Sequence, residues 1–201
     1  MISPFKLASQ DKNYFKIGTN KKLAFHLREF FQKHKDTDLW DLHTERQTMA
    51  EALQHTKMIP LRHPIADQQV NTTLGYNQIL KIEDTRLKEH IFIFKKLIEW
   101  IENEMLKTGA KSVEYGRIFF SNHLAKTKIG LHVDEGAYFD YYDRFHFVID
   151  QVDGSNVFYI RNDPMLLLTG SLYWVNNHVP HWLENESDSD RINLIFDARL
   201  T

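Results

Sequence analysis

Residues 130–136 read GLHVDEG: a histidine and an aspartate two positions apart, in an apolar segment bounded by glycines. Side chains along a strand alternate faces, so His132 and Asp134 point one way while Leu131 and Val133 point the other. Two metal-capable groups on one strand face make half of a metal site. The other half has to come from elsewhere, and without sulfur, because the chain has no cysteine. That absence also excludes disulfides, thiolate nucleophiles and zinc–thiolate centres, leaving nitrogen and oxygen ligands.

The surroundings of this stretch set the fold class. From Lys111 onward the segments SVEYGRIFF, TKIGLHVD, RFHFVID, NVFYIRN, PMLLLTG, SLYWVNN and RINLIFDARL are short and rich in β-branched and aromatic residues. Turn residues such as Asp153-Gly154 and Asn162-Asp163-Pro164 separate them, which is the pattern of a β-sandwich or barrel. The N-terminal half reads differently. KKLAFHLREFFQKH places Leu23, Leu27, Phe30 and Phe31 at helical spacing. A longer helix over TRLKEHIFIFKKLIEWIENEMLKTG carries a stripe of Leu87, Ile91, Phe94, Leu97, Ile98, Ile101 and Met105. Asp84 or Thr85 would cap its start and Gly109 its end. Between the helices, TKMIPLRHPI and GYNQILKIE are suited to strands. The expectation is one domain over 1–201, mainly β with an α-helical layer: 1–110 supplies helices and the first strands, and 111–201 the β core.

Composition narrows the partners. The chain has 201 residues, 42% hydrophobic and 26% charged, with a net charge of −2. It therefore offers no basic field, and neither nucleic acid nor an anionic membrane is expected as a partner. No apolar run approaches the length of a membrane span, and the first residues lack the apolar core of a signal peptide, so a cytoplasmic location is expected. Most of the eleven histidines, His26, His34, His43 and His90 among them, lie in helical or polar stretches and read as surface residues.

Two strands turn polar side chains toward the interior. In DRFHFVID, Phe145, Phe147 and Ile149 share one face and Arg144 and His146 the other; in RINLIFD, Ile192, Leu194 and Phe196 oppose Arg191 and Asn193. A barrel packed on helices turns the apolar set outward to them and the polar set inward, which lines a pocket. Downstream of GLHVDEG, NNHVPHWLENESDSDR offers His178 or His181 as a further ligand. A non-haem ferrous site needs two imidazoles and a carboxylate on one side of the metal, leaving positions open for oxygen and a cosubstrate. Arg191, ten residues after His181, can hold a carboxylate bidentately, and the acid used by such iron sites is 2-oxoglutarate.

The elements YGRI (115–118), HVD (132–134), RFHFVID (144–150), GSLYWVNNHVPH (170–181) and RINLIFD (191–197) together resemble the aspartyl/asparaginyl β-hydroxylase family of 2-oxoglutarate- and Fe(II)-dependent oxygenases, bacterial free-proline hydroxylases included. The resemblance implies a double-stranded β-helix of the jelly-roll, cupin-like kind. It implies Fe(II) on His132, Asp134 and His181, and 2-oxoglutarate held by Arg191 with help from Arg144, His146 and Ser121. It also implies O2 as the oxidant, with succinate and carbon dioxide formed as a C–H bond of an amino acid or amino-acid side chain is hydroxylated. Some protein-directed members lack the aspartate of His-x-Asp. This chain keeps Asp134, as the small-molecule hydroxylases do, which with its compact length tilts the expectation toward a small amino acid or peptide over a protein side chain. On the substrate side stand Arg62, His55 and Tyr138, the last in the aromatic loop GAYFDYYD.

Each residue also has a plainer explanation. His132 and Asp134 could be a hydrogen-bonded pair on a barrel edge, and Arg191 an ion pair with the acidic run ENESDSD. Arg144 could bridge to Asp143 or Asp140, His146 could be a core histidine, and Arg62 a surface arginine. The aromatic loop could be a lid or simple packing against the helices. As a whole, the chain could be a cupin barrel of another chemistry, or one that binds a small carboxylate without turnover.

Overall fold

Alternation of apolar and polar residues sorts the strands into two antiparallel sheets. The structure, a computed structural model, describes residues 5, 11–35, 37–41, 47, 51–62 and 91–201. Among these, the strands are β1 (Tyr14–Thr19), β2 (Thr56–Arg62), β3 (Val113–His123), β4 (Thr127–His132), β5 (Asp143–Asp150), β6 (Asn156–Ile160), β7 (Asp163–Met165), β8 (Ser171–Val175), β9 (His181–Asn185) and β10 (Arg191–Leu200). The larger sheet has the order β1-β8-β5-β10-β3-β2 and the smaller β4-β9-β6-β7. Non-consecutive strands neighbour one another in both, as in a double-stranded β-helix.

Among the described residues, two helices back the larger sheet. Helix α1 (Lys21–Lys33) starts where the Asn20 side chain accepts from the Leu23 amide at 3.0 Å, and it buries Leu23, Ala24, Leu27, Phe30 and Phe31. Helix α2 (Ile91–Leu106) buries Phe94, Leu97, Ile101 and Met105 completely. It ends as expected at Gly109, whose positive φ of 97° lets its amide close on the Leu106 carbonyl. Leu87 and the expected caps Asp84 and Thr85 lie outside the described residues, as do the GYNQILKIE segment and His43, His63 and His90. The outward faces of β5 and β10 meet these helices: Phe145, Phe147, Ile149, Ile192, Leu194 and Phe196 join one apolar cluster with Phe31, Phe94 and Leu97. Phe120 links the layers, its ring 4.8 Å from Phe31 and 5.2 Å from Phe94.

The space between the sheets has its own cluster of Val148, Tyr173 and Val175 from the larger sheet and Phe158, Ile160, Met165 and Leu183 from the smaller. These residues and a smaller cluster of Met58, Phe119 and Ile195 fill part of the barrel, and polar side chains line the rest.

Four local expectations change. Strand β1 was not anticipated, because its alternation is only partly buried. Strand β9 falls in the segment read only for its histidines. Of PMLLLTG only Pro164 and Met165 pair, in β7; Leu166 and Leu168 are exposed, so that apolar run is a loop flank rather than a buried strand. The β6–β7 turn sits on Arg161 and Asn162, both with positive φ, one step before the expected position.

Candidate metal centre and anion pocket

His132 ends β4 and His181 begins β9, and the two are direct cross-strand partners. Their ring centroids are 4.2 Å apart. Each imidazole has Nδ1 against a backbone carbonyl two residues upstream: His132 with Gly130 O at 2.7 Å and His181 with Val179 O at 2.9 Å. A carbonyl can only accept, so Nδ1 carries the proton in both and Nε2 keeps its lone pair for a metal. Asp134 follows in the bend after β4, where its amide donates to Asn177 O at 3.0 Å. Ligand atoms of His132, Asp134 and His181 lie within 4.8 Å of one another. Nitrogen and oxygen ligands sit roughly 2 Å from such an ion, so slight convergence lets the three share one. The donor set, two imidazoles and one carboxylate without sulfur, suits a ferrous ion with open positions. His178, the competing histidine, is not in this cluster.

Electrostatics favour the ligating forms. Burial, then the neighbouring His132, pushes His181 down to about 4, so its ring is neutral at ordinary pH. Burial alone would raise the Asp134 carboxyl; the Arg144 guanidinium, the Asn177 hydrogen bond and the two imidazoles together hold it well below the usual carboxylate range.

Arg144 reaches neither Asp143 nor Asp140 with its guanidinium. It donates to Asp134 Oδ2, and to Asp197 through Nε at 2.8 Å and Nη2 at 3.1 Å. Asp197, 1% exposed, also accepts from Arg117 Nε at 3.1 Å and from the Tyr138 hydroxyl at 3.0 Å. The Tyr138 hydroxyl is thus occupied, accepting in addition from the Arg117 amide at 2.8 Å. The aromatic loop, a short helix α3 over Ala137–Tyr141, packs on the ends of β3 and β10 rather than on the helical layer: Tyr141 and Tyr142 both donate to Glu114.

Arg191 is 4% exposed and turned inward. The acidic run nearby is engaged elsewhere: Glu184 with Lys128, Asp188 with Lys126, and Asp190 with Asn122 and the Ala125 amide. Arg191 donates instead to Gln151 Oε1 at 2.9 Å, and Asn193, with its amide oxygen turned to the guanidinium, accepts from both Nη atoms at 2.6 and 2.7 Å. Both partners are neutral. Burial lowers the guanidinium to about 9, and no carboxylate among the described residues offsets it.

Registers place the remaining candidates. His146 pairs with Ile195 on the inner face, is buried, and lies within electrostatic reach of both Arg191 and His181; burial first, then Arg191, keeps it neutral. Ser121 pairs with Asn193, beside Arg191. Arg62 is level with Ile118 and Phe196, hence with the Arg144–Asp197 end. His55 precedes Thr56, which is level with His123 and so with Arg191, at the opposite end of β2 from Arg62. A strand rises about 3.3 Å per residue, so His55 and Arg62 do not meet around one small molecule.

Sequence reasoning missed Asp197, Asn177 and His123. Asp197 continues the alternation Arg191, Asn193, Ile195, which was its signal. His123 was missed because β3 runs three residues beyond the expected end at Phe120. A separate cavity of about 590 Å³ lies on the helical side, lined by Arg28, Lys57, Asn122, Asp150 and Asp190, away from the histidines.

A family model described as aspartyl/asparaginyl β-hydroxylase matches residues 42–200. No curated protein matches the sequence. Among solved structures, a prolyl-4-hydroxylase of Pseudomonas putida aligns over 94% of this chain and 94% of its own, at 12% identity and a TM-score of 0.51. A viral collagen prolyl hydroxylase from Paramecium Bursaria Chlorella virus-1, solved as a 2-oxoglutarate complex, aligns over 96% and 98% at 9% identity and the same TM-score of 0.51. At these identities the likeness shows the fold. No helix among the described residues is long and apolar enough to cross a membrane.

Proposed function

The chain belongs to the aspartyl/asparaginyl β-hydroxylase family, and from that premise we propose that its 201 residues form one 2-oxoglutarate- and Fe(II)-dependent hydroxylase domain acting on a C–H bond of an amino acid or amino-acid residue. The observation that carries this reading is Arg191: a buried guanidinium with only neutral partners, facing the same inter-sheet space as His132, Asp134 and His181. A buried cation without a counter-ion is costly, and a dicarboxylate bound between the sheets relieves that cost.

In this reading the two imidazoles and Asp134 hold the metal on one side, with both Nδ1–H groups tied to the backbone so that the rings cannot turn away. The bound metal and cosubstrate supply the oxidative chemistry, in which 2-oxoglutarate and O2 yield succinate, carbon dioxide and a hydroxylated product. The chain's own residues orient. Arg191 pairs with the distal carboxylate, Ser121 and His146 line the path between it and the metal, and Arg144 steadies Asp134. Arg62, level with the Arg144–Asp197 end and with its Nε without a partner among the described residues, is the group assigned here to a substrate carboxylate. Retention of Asp134 supports a small amino acid or peptide as substrate.

The test is anaerobic addition of 2-oxoglutarate to the ferrous protein, followed by succinate release in air. Chelation of a 2-oxo acid gives a new visible absorption band in the wild type, and succinate then accumulates; Asp134→Ala and Arg191→Ala abolish release. Binding without succinate would instead identify a carboxylate-binding barrel. A wild type that gives neither band nor succinate refutes the proposal.

A further inference from the structure

We propose, resting on that reading, that His123 donates a hydrogen bond to the distal carboxylate gripped by Arg191, and so helps set which 2-oxo acid the pocket accepts. His123 is the direct cross-strand partner of Arg191 on β3 and shares its inward face with Ser121, two residues upstream, just as Arg191 shares its face with Asn193 on β10. The four side chains form a square on the inner face of the β3–β10 pair.

Three of the four have an obvious use for their polar atoms toward an anion or toward one another. His123 has none. Its ring is 1% exposed, yet among the described residues neither Nδ1 nor Nε2 has a hydrogen-bond partner. Interior polar groups are almost always paired, so these nitrogens are open to a hydrogen-bond acceptor brought in beside Arg191. Its backbone is also fixed: Asn185 Nδ2 donates to His123 O at 3.3 Å, to Leu124 O at 3.1 Å and to Ser189 O at 2.9 Å, pinning the end of β3 against the β9–β10 loop. The strand end is therefore held in place, and the ring it carries is buried.

The chemistry of the site suits a carboxylate. Burial, then Arg191, then His55 push the imidazole down to about 3, so it stays neutral and offers one N–H. Arg191 spends Nε on Gln151 and shares its Nη atoms with Asn193. A carboxylate that meets the guanidinium still has lone pairs to place, and the imidazole N–H supplies a donor that adds no second positive charge. A monocarboxylic 2-oxo acid of the same length has only a methyl end to offer here, and leaves His123 and Arg191 unmet.

The experiment is titration calorimetry on the Mn(II)-loaded full chain without oxygen, with 2-oxoglutarate and with 2-oxopentanoate, which carries a methyl group in place of the distal carboxylate. His123→Phe keeps the aromatic volume and removes both nitrogens; His123→Asn restores an N–H. The expected result is a roughly 10- to 100-fold loss of 2-oxoglutarate affinity in His123→Phe, partial recovery in His123→Asn, and unchanged affinity for 2-oxopentanoate. Equal weakening of both acids, or unchanged 2-oxoglutarate affinity in His123→Phe, overturns the role of His123 while leaving the proposed function standing. Failure of the wild type itself to bind 2-oxoglutarate overturns both.

Discussion

Arg144 and Asp134 are joined through Nη1 and Oδ2, on the same carboxylate oxygen that Asn177 Nδ2 holds at 2.9 Å, while Asp134 Oδ1 accepts no hydrogen bond among the described residues. One oxygen is anchored and the other is kept for a metal. Groups that orient a ligating carboxylate commonly matter 10- to 100-fold for metal affinity. Arg144→Met is therefore expected to weaken Mn(II) or Fe(II) binding by roughly 10-fold or more in a chelator competition, with 2-oxoglutarate affinity of the metal-saturated protein little changed. The reverse pattern, normal metal affinity with lost cosubstrate binding, would assign the guanidinium to 2-oxoglutarate instead.

Asp197 is the counter-ion on which that arrangement leans. Burial would raise its carboxyl, but the guanidiniums of Arg144 and Arg117 hold it below the usual range, and Tyr138 adds a hydroxyl. Removing one partner of a buried charged cluster leaves the others uncompensated, at a cost of about 3–5 kcal/mol. Asp197→Ala is expected to lose about that much in urea denaturation, and to weaken metal binding as Arg144 is released. Asp197→Asn, which keeps an acceptor oxygen, is expected to lose less. A variant as stable as the wild type would mean that Arg144 and Arg117 find water at no cost.

Such residues mark how far the sequence could be read. The alternation in RFHFVID and RINLIFD gave the helix-facing and pocket-facing sides of β5 and β10 correctly, because a strand with one apolar and one polar face has a single sensible orientation. The stripe of α1 and that of α2 from Phe94 onward were equally plain. Cross-strand register was not legible: nothing local says that His132 stands opposite His181, or that Arg144 spans Asp134 and Asp197 instead of reaching Asp143 or Asp140. Pairing between strands far apart in sequence is a property of the fold, so the roles of Asn177 and His123, and the partners of Asp197, appear only in three dimensions.

Gly116 offers a test of the aromatic loop. A Cβ at this position would stand 2.5 Å from the Tyr138 hydroxyl and 3.1 Å from the Tyr142 ring. That hydroxyl is fixed between Asp197 and the Arg117 amide, so it cannot yield without breaking a buried hydrogen bond. Gly116→Ala is expected to cost about 1–3 kcal/mol of stability, and Tyr138→Phe combined with it to cost less than the sum of the two single changes. Strict additivity in that double-mutant cycle would show that residue 116 does not press on the tyrosine.

His123 also sets a pH dependence of stability. In the fold burial first, then Arg191 and His55, the charged or titratable groups facing it, push the ring down to about 3 from 6.5. Below pH 6.5 the unfolded chain takes up a proton at this position and the folded chain does not. Unfolding is then favoured by acid, and the contribution of His123 to stability falls as the pH drops from about 6.5 toward 3. The slope approaches roughly 1.4 kcal/mol per pH unit well inside that window. Urea denaturation of metal-free wild type and His123→Phe between pH 7.5 and pH 4.5 isolates the effect, since His146 and His181 titrate alike in both proteins. The free-energy difference between the two is expected to shift in favour of the phenylalanine variant as pH falls, and to be flat above pH 7. A difference that stays constant across the range would mean that the ring takes its proton in the folded state as readily as in the unfolded one, and that its nitrogens reach water after all.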